Sequence, residues 1–143
     1  MKREIKFRVW DHNTDTMMIP DNFEFCDGEI CWIDAGREAG PKSGNDGDPG
    51  QFEIMQYVGL HDKNGREIYE GDILKVTSED GESYVAAVKW FGDEDYPAFD
   101  LEGIPVAWNY DANALATIFQ SGVEKCEVIG NIFENPELLE GKK

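Results

Sequence analysis

Both histidines of the chain, His12 and His61, stand among turn-forming residues, and acid–base chemistry there would need a partner at hydrogen-bonding distance. His61 is followed by Asp62, whereas nucleophilic catalysis combines a Ser or Cys with a His that a carboxylate orients. Adjacent residues in a surface turn usually point apart, so we interpret His61 as a surface histidine. Carboxylate pairs arise by chance among 30 acidic residues and assign no glycosidase site. We therefore predict no catalytic residues and expect a protein that is not an enzyme.

Three cysteines, Cys26, Cys31 and Cys126, offer the next candidate chemistry. Cys26 and Cys31 have no second cysteine pair and no nearby histidine, and a closed zinc site needs four ligands. We expect reduced thiols that behave as small hydrophobic residues. The acidic clusters at residues 45–48 and 93–95 lack the spacing of an EF-hand, and no glycine pattern forms a phosphate-binding loop. We predict no metal site and no cofactor.

The charge balance is strongly acidic, with 13 Lys and Arg residues against 30 Asp and Glu residues and a net charge of −17. Such a chain repels phosphate, so direct nucleic-acid binding is disfavoured. The same charge suits an acidic decoy that mimics DNA, which we keep as an alternative function. No signal-type apolar segment opens the chain, and no apolar run approaches the ~20 residues of a membrane span. We expect a cytoplasmic protein that does not bind membranes.

Residues 52–76 organise the remaining pattern, because two apolar, β-prone runs flank a turn at residues 62–65. Gly65 occupies the turn position that favours positive φ. Gly71 permits a bend before the next strand, and Asp72 is suited to accept backbone amides there. Residues 73–77 and 84–91 form an alternating pair joined by an acidic turn, which resembles the central hairpin of SH3-like barrels. Tyr57, Tyr69, Tyr84, Trp90 and Trp108 would serve as a binding platform or, more commonly, as core.

The sequence predicts a single domain in three parts: N-terminal strands in residues 1–34, a flexible Gly-rich loop at 35–51 and a barrel-like part at 52–140. In the first strand Ile5, Phe7 and Val9 alternate with charged residues, which indicates one buried and one solvated face. Asp27-Gly28 predicts a hairpin. Residues 111–120 fit either a helix capped by Asp111 or a short strand.

Four blocks of this sequence resemble the YopX family of bacteriophage and prophage proteins. They are KFRVWD at residues 6–11 with two methionines downstream, MQYVGLHDKNGREIYEGDI at 55–73, VKWF at 88–91 and VIGNIFENPELL at 128–139. The second block is the most specific, and the four together span nearly the whole chain in order. The Gly-rich segment falls where such proteins vary.

The resemblance implies a mainly β fold with an SH3-like barrel part and short helices. It also implies a phage or prophage origin, in Gram-positive hosts, and assembly into symmetric homo-oligomers. No catalytic residue, cofactor or substrate comes with it. Our leading hypothesis is a non-enzymatic phage accessory protein of unknown biochemical activity, located in the bacterial host cytoplasm. It would act by self-assembly or by binding a host or phage protein.

Overall fold

A computed structural model of the chain describes residues 4–34, 52–92, 98–105, 108, 110 and 113–140. The fold is mainly β, as predicted. The strands are β1 Phe7–Asp11, β2 Thr16–Met18, β3 Asn22–Cys26, β4 Glu29–Asp34, β5 Phe52–His61, β6 Glu67–Tyr69, β7 Asp72–Thr77, β8 Ser83–Trp90, β9 Phe99–Glu102 and β10 Lys125–Asn131. The helices are α1 Ala114–Ser121 and α2 Glu137–Glu140.

The chain divides into two compact units, Met1–Tyr57 and Val58–Lys143. The predicted single domain in three parts stays a prediction, and the boundary between the two compact units falls inside β5. The boundary lies there because the first residues of β5 pair with β1 and belong to its sheet. The predicted Gly-rich loop at 35–51 and the C-terminal residues 141–143 lie outside the described residues.

In the N-terminal unit, β1 pairs antiparallel with both β2 and β5, so that Val9 lies opposite Met18 on one side and Ile54 on the other. A small core forms around buried Val9, Met18, Ile33 and Phe52, with Phe23, Ile30 and Ile54 packed against it.

The predicted division of the first strand into a buried and a solvated face is only partly correct. Ile5 lies before β1 and is 65% exposed, whereas Trp10 and Asp11 are both buried. Asp11 is buried because its carboxylate folds back on the next turn, accepting the N–H of Asn13 and the hydroxyl of Thr14 at 2.9 Å each. A strand paired on both edges also leaves less of its surface to solvent than an edge strand. Arg8, assigned to the solvated face, is half-buried.

The hairpin of β3 and β4 follows the prediction from Asp27-Gly28. Asp27 has φ 54° and Gly28 has φ 85°, the two positive values that a type I′ turn requires. The expectation of reduced thiols at this turn was wrong, because Cys26 and Cys31 form a disulfide with an S–S distance of 2.11 Å. An extra residue in β4 shifts the register between Glu24 and Phe25. Cys26 is exposed, so it is not a core residue either.

In the C-terminal unit, four antiparallel strands form a sheet in the order β10-β7-β8-β9. Its buried core includes Leu74, Val76, Ala86, Val88 and Leu115. The predicted hairpin of β7 and β8 is present, with Val76 opposite Tyr84 and Thr77 opposite Ser83. The SH3-like character of this part stays a prediction.

Residues 114–121 form a helix, which decides between the two readings of this segment. Asn113, not Asp111, is its N-cap, and the Asn113 Oδ1 accepts the N–H of Ala116 at 2.8 Å. Asp111 lies outside the described residues. Gly122 ends the helix with φ 71°, as predicted.

Candidate functional site

The carboxylate of Asp62, the residue next to His61, accepts hydrogen bonds from backbone N–H groups. Its Oδ1 accepts the N–H groups of Asn64 and Arg66, and its Oδ2 accepts the N–H of Val128, each at 2.9 Å. One side chain thus closes the turn after β5 and joins it to β10. The prediction of a structural turn at residues 62–65 is confirmed.

The electrostatics of Asp62 agree with that role. Burial alone would raise the pKa of Asp62, but the N–H groups of Val128, Arg66 and Asn64 and the charge of Arg66 outweigh it, so this pKa lies below its ordinary value of 3.8. A carboxylate saturated by amide donors is held as an anion and is poorly suited to accept a proton. His61 itself is exposed. The described bonds of Asp62 thus go to the backbone of the turn and of β10.

Two further buried carboxylates hold the backbone in the same way. Asp72 is 2% exposed and accepts the N–H of Tyr69 at 2.8 Å, as predicted for the bend at Gly71. Asp100 accepts the N–H groups of Leu101 and Leu115 at 2.8 and 3.0 Å, which satisfies an amide in the first turn of α1. Sequence reasoning missed Asp100, because its second partner lies 15 residues away.

One cleft of the C-terminal unit is apolar. It has a volume of about 360 Å³ and is lined by Val58, Leu60, Phe99, Asn113, Leu115, Ala116, Phe119 and Gln120. Of its polar lining residues, Asn113 is already committed, since its Nδ2 donates to the carbonyl of Phe99 at 3.0 Å and its Oδ1 caps α1. The cleft therefore suits an apolar group rather than a charged substrate.

A smaller cleft of about 160 Å³ lies beside it and includes His61, Asp62, Glu124 and Cys126 in its lining. Cys126 is 4% exposed, and burial together with the charges of Glu124 and Asp62 raises its thiol pKa to about 12. The thiolate is the nucleophilic form of cysteine, so Cys126 stays inert at neutral pH. The expectation of a reduced thiol is confirmed for this cysteine.

A chain of hydroxyl groups adjoins that thiol. The hydroxyl oxygens of Tyr84 and Tyr110 are 2.8 Å apart, and Tyr110 donates to both carboxylate oxygens of Glu124 at 3.1 and 3.2 Å. Burial raises the pKa of both tyrosines, that of Tyr110 to about 12. Both phenols are therefore neutral at physiological pH and satisfy one another as a structural network.

The aromatic residues considered as a platform are mostly core. Tyr57, Tyr69 and Tyr84 are buried, and Trp108 packs edge-on against Tyr84 with ring centroids 4.7 Å apart. Trp90 differs, since it is 40% exposed and contacts Phe99.

Among the described residues, no group of three or more His, Cys, Asp and Glu side chains is placed to hold a metal ion. The acidic clusters at 93–95 and 45–48 lie outside those residues. His12 pairs with Glu53 at 3.4 Å on an exposed surface. No helix in the described part of the chain is long and apolar enough to cross a membrane.

These features define a class: a mainly β protein whose buried carboxylates hold its own backbone and which carries an apolar cleft. The model of the YopX protein family matches residues 6–140, and the chain belongs to that family. The family resemblance read from the four sequence blocks is thereby confirmed.

Individual relatives agree with that assignment. The chain is 35% identical over 79 residues to the SPbeta prophage-derived uncharacterized protein YopX of Bacillus subtilis strain 168, a match covering 55% of this chain and 54% of that protein. The sequence match thus spans about half the length of this relative.

Two crystal structures match over nearly their full lengths. Protein EF1440 of Enterococcus faecalis has 25% identity and a TM-score of 0.58, covering 96% of this chain and 99% of that one. YopX of Bacillus subtilis has 22% identity and a TM-score of 0.53, covering 93% and 96%. The second match shows the fold alone.

Proposed function

We propose that this chain is a phage or prophage accessory protein that works without catalysis, by assembling with itself and binding another protein in the bacterial host cytoplasm. The prophage origin of its Bacillus subtilis relative supports the first part. The observation that carries the second is the exposure of large apolar side chains in the N-terminal unit. Ile5 is 65%, Ile19 54%, Phe25 64% and Trp32 44% exposed.

Exposed apolar side chains that lie together on a surface mark association sites, and we propose that these four contribute to one. Ile5 stands outside β1, and Ile19 directly follows β2, so neither is needed to complete a strand. Charge contributes less. Lys6 already contacts Glu4 at 3.6 Å, and an exposed ion pair contributes only about 0–1 kcal/mol. Apolar contact must therefore supply most of the energy of assembly.

The proposal of a non-enzymatic role rests on the use of the candidate groups. Asp62, which would have to orient His61, already accepts three backbone N–H groups. The buried thiol of Cys126 has a pKa of about 12. Neither group is poised for the proton transfers that hydrolysis requires.

Self-assembly is tested by multi-angle light scattering over a concentration series. The double variant Ile5→Ser/Ile19→Ser should lower the assembly mass, because both serines remove exposed apolar area. The matched control is Val123→Ser/Ile132→Ser, which removes similar residues that are 47% and 39% exposed in the C-terminal unit. A wild-type protein that is monomeric at every concentration contradicts self-assembly, and an equal loss in both double variants contradicts the N-terminal surface.

The net charge of −17 favours one alternative, an acidic decoy for a DNA-binding protein. The two functions differ in their response to salt. A decoy complex held by charge weakens steeply as salt rises, whereas an apolar assembly does not. Capture of a basic host protein from lysate at low salt, lost steeply as sodium chloride rises, would support the decoy. An assembly of the purified protein that persists at high salt in light scattering would support apolar self-assembly.

A further inference from the structure

The register of β3 and β4 divides the hairpin into two faces. Directly opposed residues share a face, so Phe23 and Ile33 point one way while Glu24 and Trp32 point the other. Ile33 is fully buried and Phe23 packs against the core of the N-terminal unit. We call the opposite side, with Asn22, Glu24, Cys26, Glu29, Trp32 and Asp34, the outer face of the hairpin.

The outer face combines an aromatic anchor with a rigid frame. Trp32 is 44% exposed, and it lies on a hairpin whose type I′ turn is set by Asp27 and Gly28. In the part of the chain that the structure describes, β3 and β4 form a two-stranded sheet that pairs with no further strand. An exposed Trp on such a frame offers a large contact area at a low entropic cost.

The charged side chains on the outer face of the hairpin are all acidic. Glu24 lies directly across from Trp32, Asp34 follows two residues later on the same face, and Glu29 lies toward the turn. Between Arg8 and Arg37 the sequence contains seven carboxylates and no Lys or Arg. A cationic side chain over the indole ring would meet the Glu24 carboxylate at the same time, so cation–π attraction and ion pairing act together.

We propose that the outer face of the hairpin binds a Lys- or Arg-bearing segment of another protein, with Trp32 as the anchor and Glu24 and Glu29 as the charge partners. This inference rests on the proposed protein-binding function and names the chemistry of the partner. The segment carries apolar as well as cationic residues, because the exposed indole of Trp32 offers apolar contact area beside the carboxylates.

Fluorescence anisotropy with a short labelled Lys- and Leu-rich peptide tests the proposal on the full chain. Wild-type protein should bind this peptide more tightly than a Glu- and Leu-rich peptide or a Lys- and Gly-rich peptide. Trp32→Ala should raise the Kd by about fivefold or more, and Trp32→Phe should raise it less, because phenylalanine keeps a weaker ring face. Trp90→Ala is the matched control, since Trp90 is 40% exposed in the C-terminal unit.

Charge is tested separately with Glu24→Gln/Glu29→Gln, against Glu79→Gln/Glu82→Gln in the exposed turn after β7. Both double variants change the net charge by the same amount, so general attraction between an acidic protein and a basic peptide affects them equally. The hairpin variant should raise the Kd severalfold more than the turn variant. Circular dichroism confirms that each variant is folded, and the carboxylate variants test the face even where a tryptophan variant unfolds.

Three results overturn the proposal. Equal effects of the two glutamine double variants would mean that the peptide is attracted by the overall charge of the protein and not by the outer face. Equal binding of the Glu- and Leu-rich peptide would remove cation recognition. A Trp32→Ala variant with an unchanged peptide Kd but a lower mass in light scattering would assign the face to a second copy of this chain. The self-assembly test uses Ile5 and Ile19, outside the hairpin, so its failure is distinguishable from failure here.

Discussion

At the scale of the residue, buried carboxylates in this protein replace backbone hydrogen bonds that no strand supplies. Asp62, Asp72 and Asp100 are all buried, and each accepts backbone N–H groups at 3.0 Å or less. Asp62 joins two elements, because its bonds reach from the turn after β5 to β10. The sequence pair His61-Asp62 suggests catalysis, but the carboxylate of Asp62 is bonded to the backbone.

Replacing Asp62 by alanine should lower the free energy of unfolding by about 3 kcal/mol. The reason is that several backbone N–H groups lose their charged acceptor at the same time. Urea unfolding followed by circular dichroism measures the change. Asp80→Ala is the control, since Asp80 also stands in a turn between strands but is exposed, and it should cost clearly less. A loss no larger than that of the control would contradict the structural role of Asp62.

The lowered pKa of Asp62 makes its contribution depend on pH. The folded value lies below the ordinary 3.8, so the stabilisation is fully present above 3.8 and is lost as pH falls through the folded value. The gap in urea midpoint between wild type and Asp62→Asn should therefore shrink as the pH falls below about 4. A gap that is constant from neutral to acidic pH would mean that the folded pKa is not lowered.

At the scale of the element, the sequence predicted the turns. It did not predict the disulfide or which residues of a strand are buried. Asp27-Gly28 and the turn at 62–65 depend on local φ preferences, which the residues themselves carry. The buried Asp11 and the disulfide depend on what packs nearby after folding. The spacing of Cys26 and Cys31 was uninformative until the hairpin register and its extra residue set them 5.7 Å apart at Cα.

The disulfide predicts a distinctive count of reactive thiols. Folded, unreduced protein should react with no more than a trace of a thiol reagent, because Cys126 is buried with a pKa of about 12. Unfolding in denaturant without reductant should expose one thiol, and reduction should expose all three cysteines. Three reactive thiols in unreduced, unfolded protein would restore the expectation of reduced cysteines.

Removing the disulfide should loosen the hairpin without abolishing its turn. The variant Cys26→Ser/Cys31→Ser lacks the covalent loop that the disulfide closes. Because this loop is short, the free energy of unfolding should fall by about 2 kcal/mol or less. The type I′ turn remains, since Asp27 and Gly28 are unchanged. Hydrogen exchange should therefore accelerate at β3 and β4 while β7 and β8 keep their protection. Uniform acceleration in both units would show that the disulfide acts beyond the hairpin.

At the scale of the whole molecule, charge opposes the compact state. The sequence carries 30 acidic against 13 basic residues, and ion pairs such as Lys63–Glu127 at 3.7 Å and Lys89–Glu102 at 3.2 Å lie at partly exposed positions. Exposed pairs contribute little, whereas the self-repulsion of a net charge of −17 acts at every position. The excess of acidic residues could be predicted from composition alone, because a net charge does not depend on the fold.

Salt should consequently stabilise the protein. Raising sodium chloride from low concentration to about 0.15 M shortens the Debye length to about 8 Å, which screens repulsion among carboxylates spread over the surface. The urea midpoint should rise over this range, and potassium chloride should act equally, since screening does not depend on the identity of a monovalent cation. A midpoint that falls with salt would mean that ion pairs outweigh repulsion. A rise with sodium alone would indicate specific binding of the cation rather than screening.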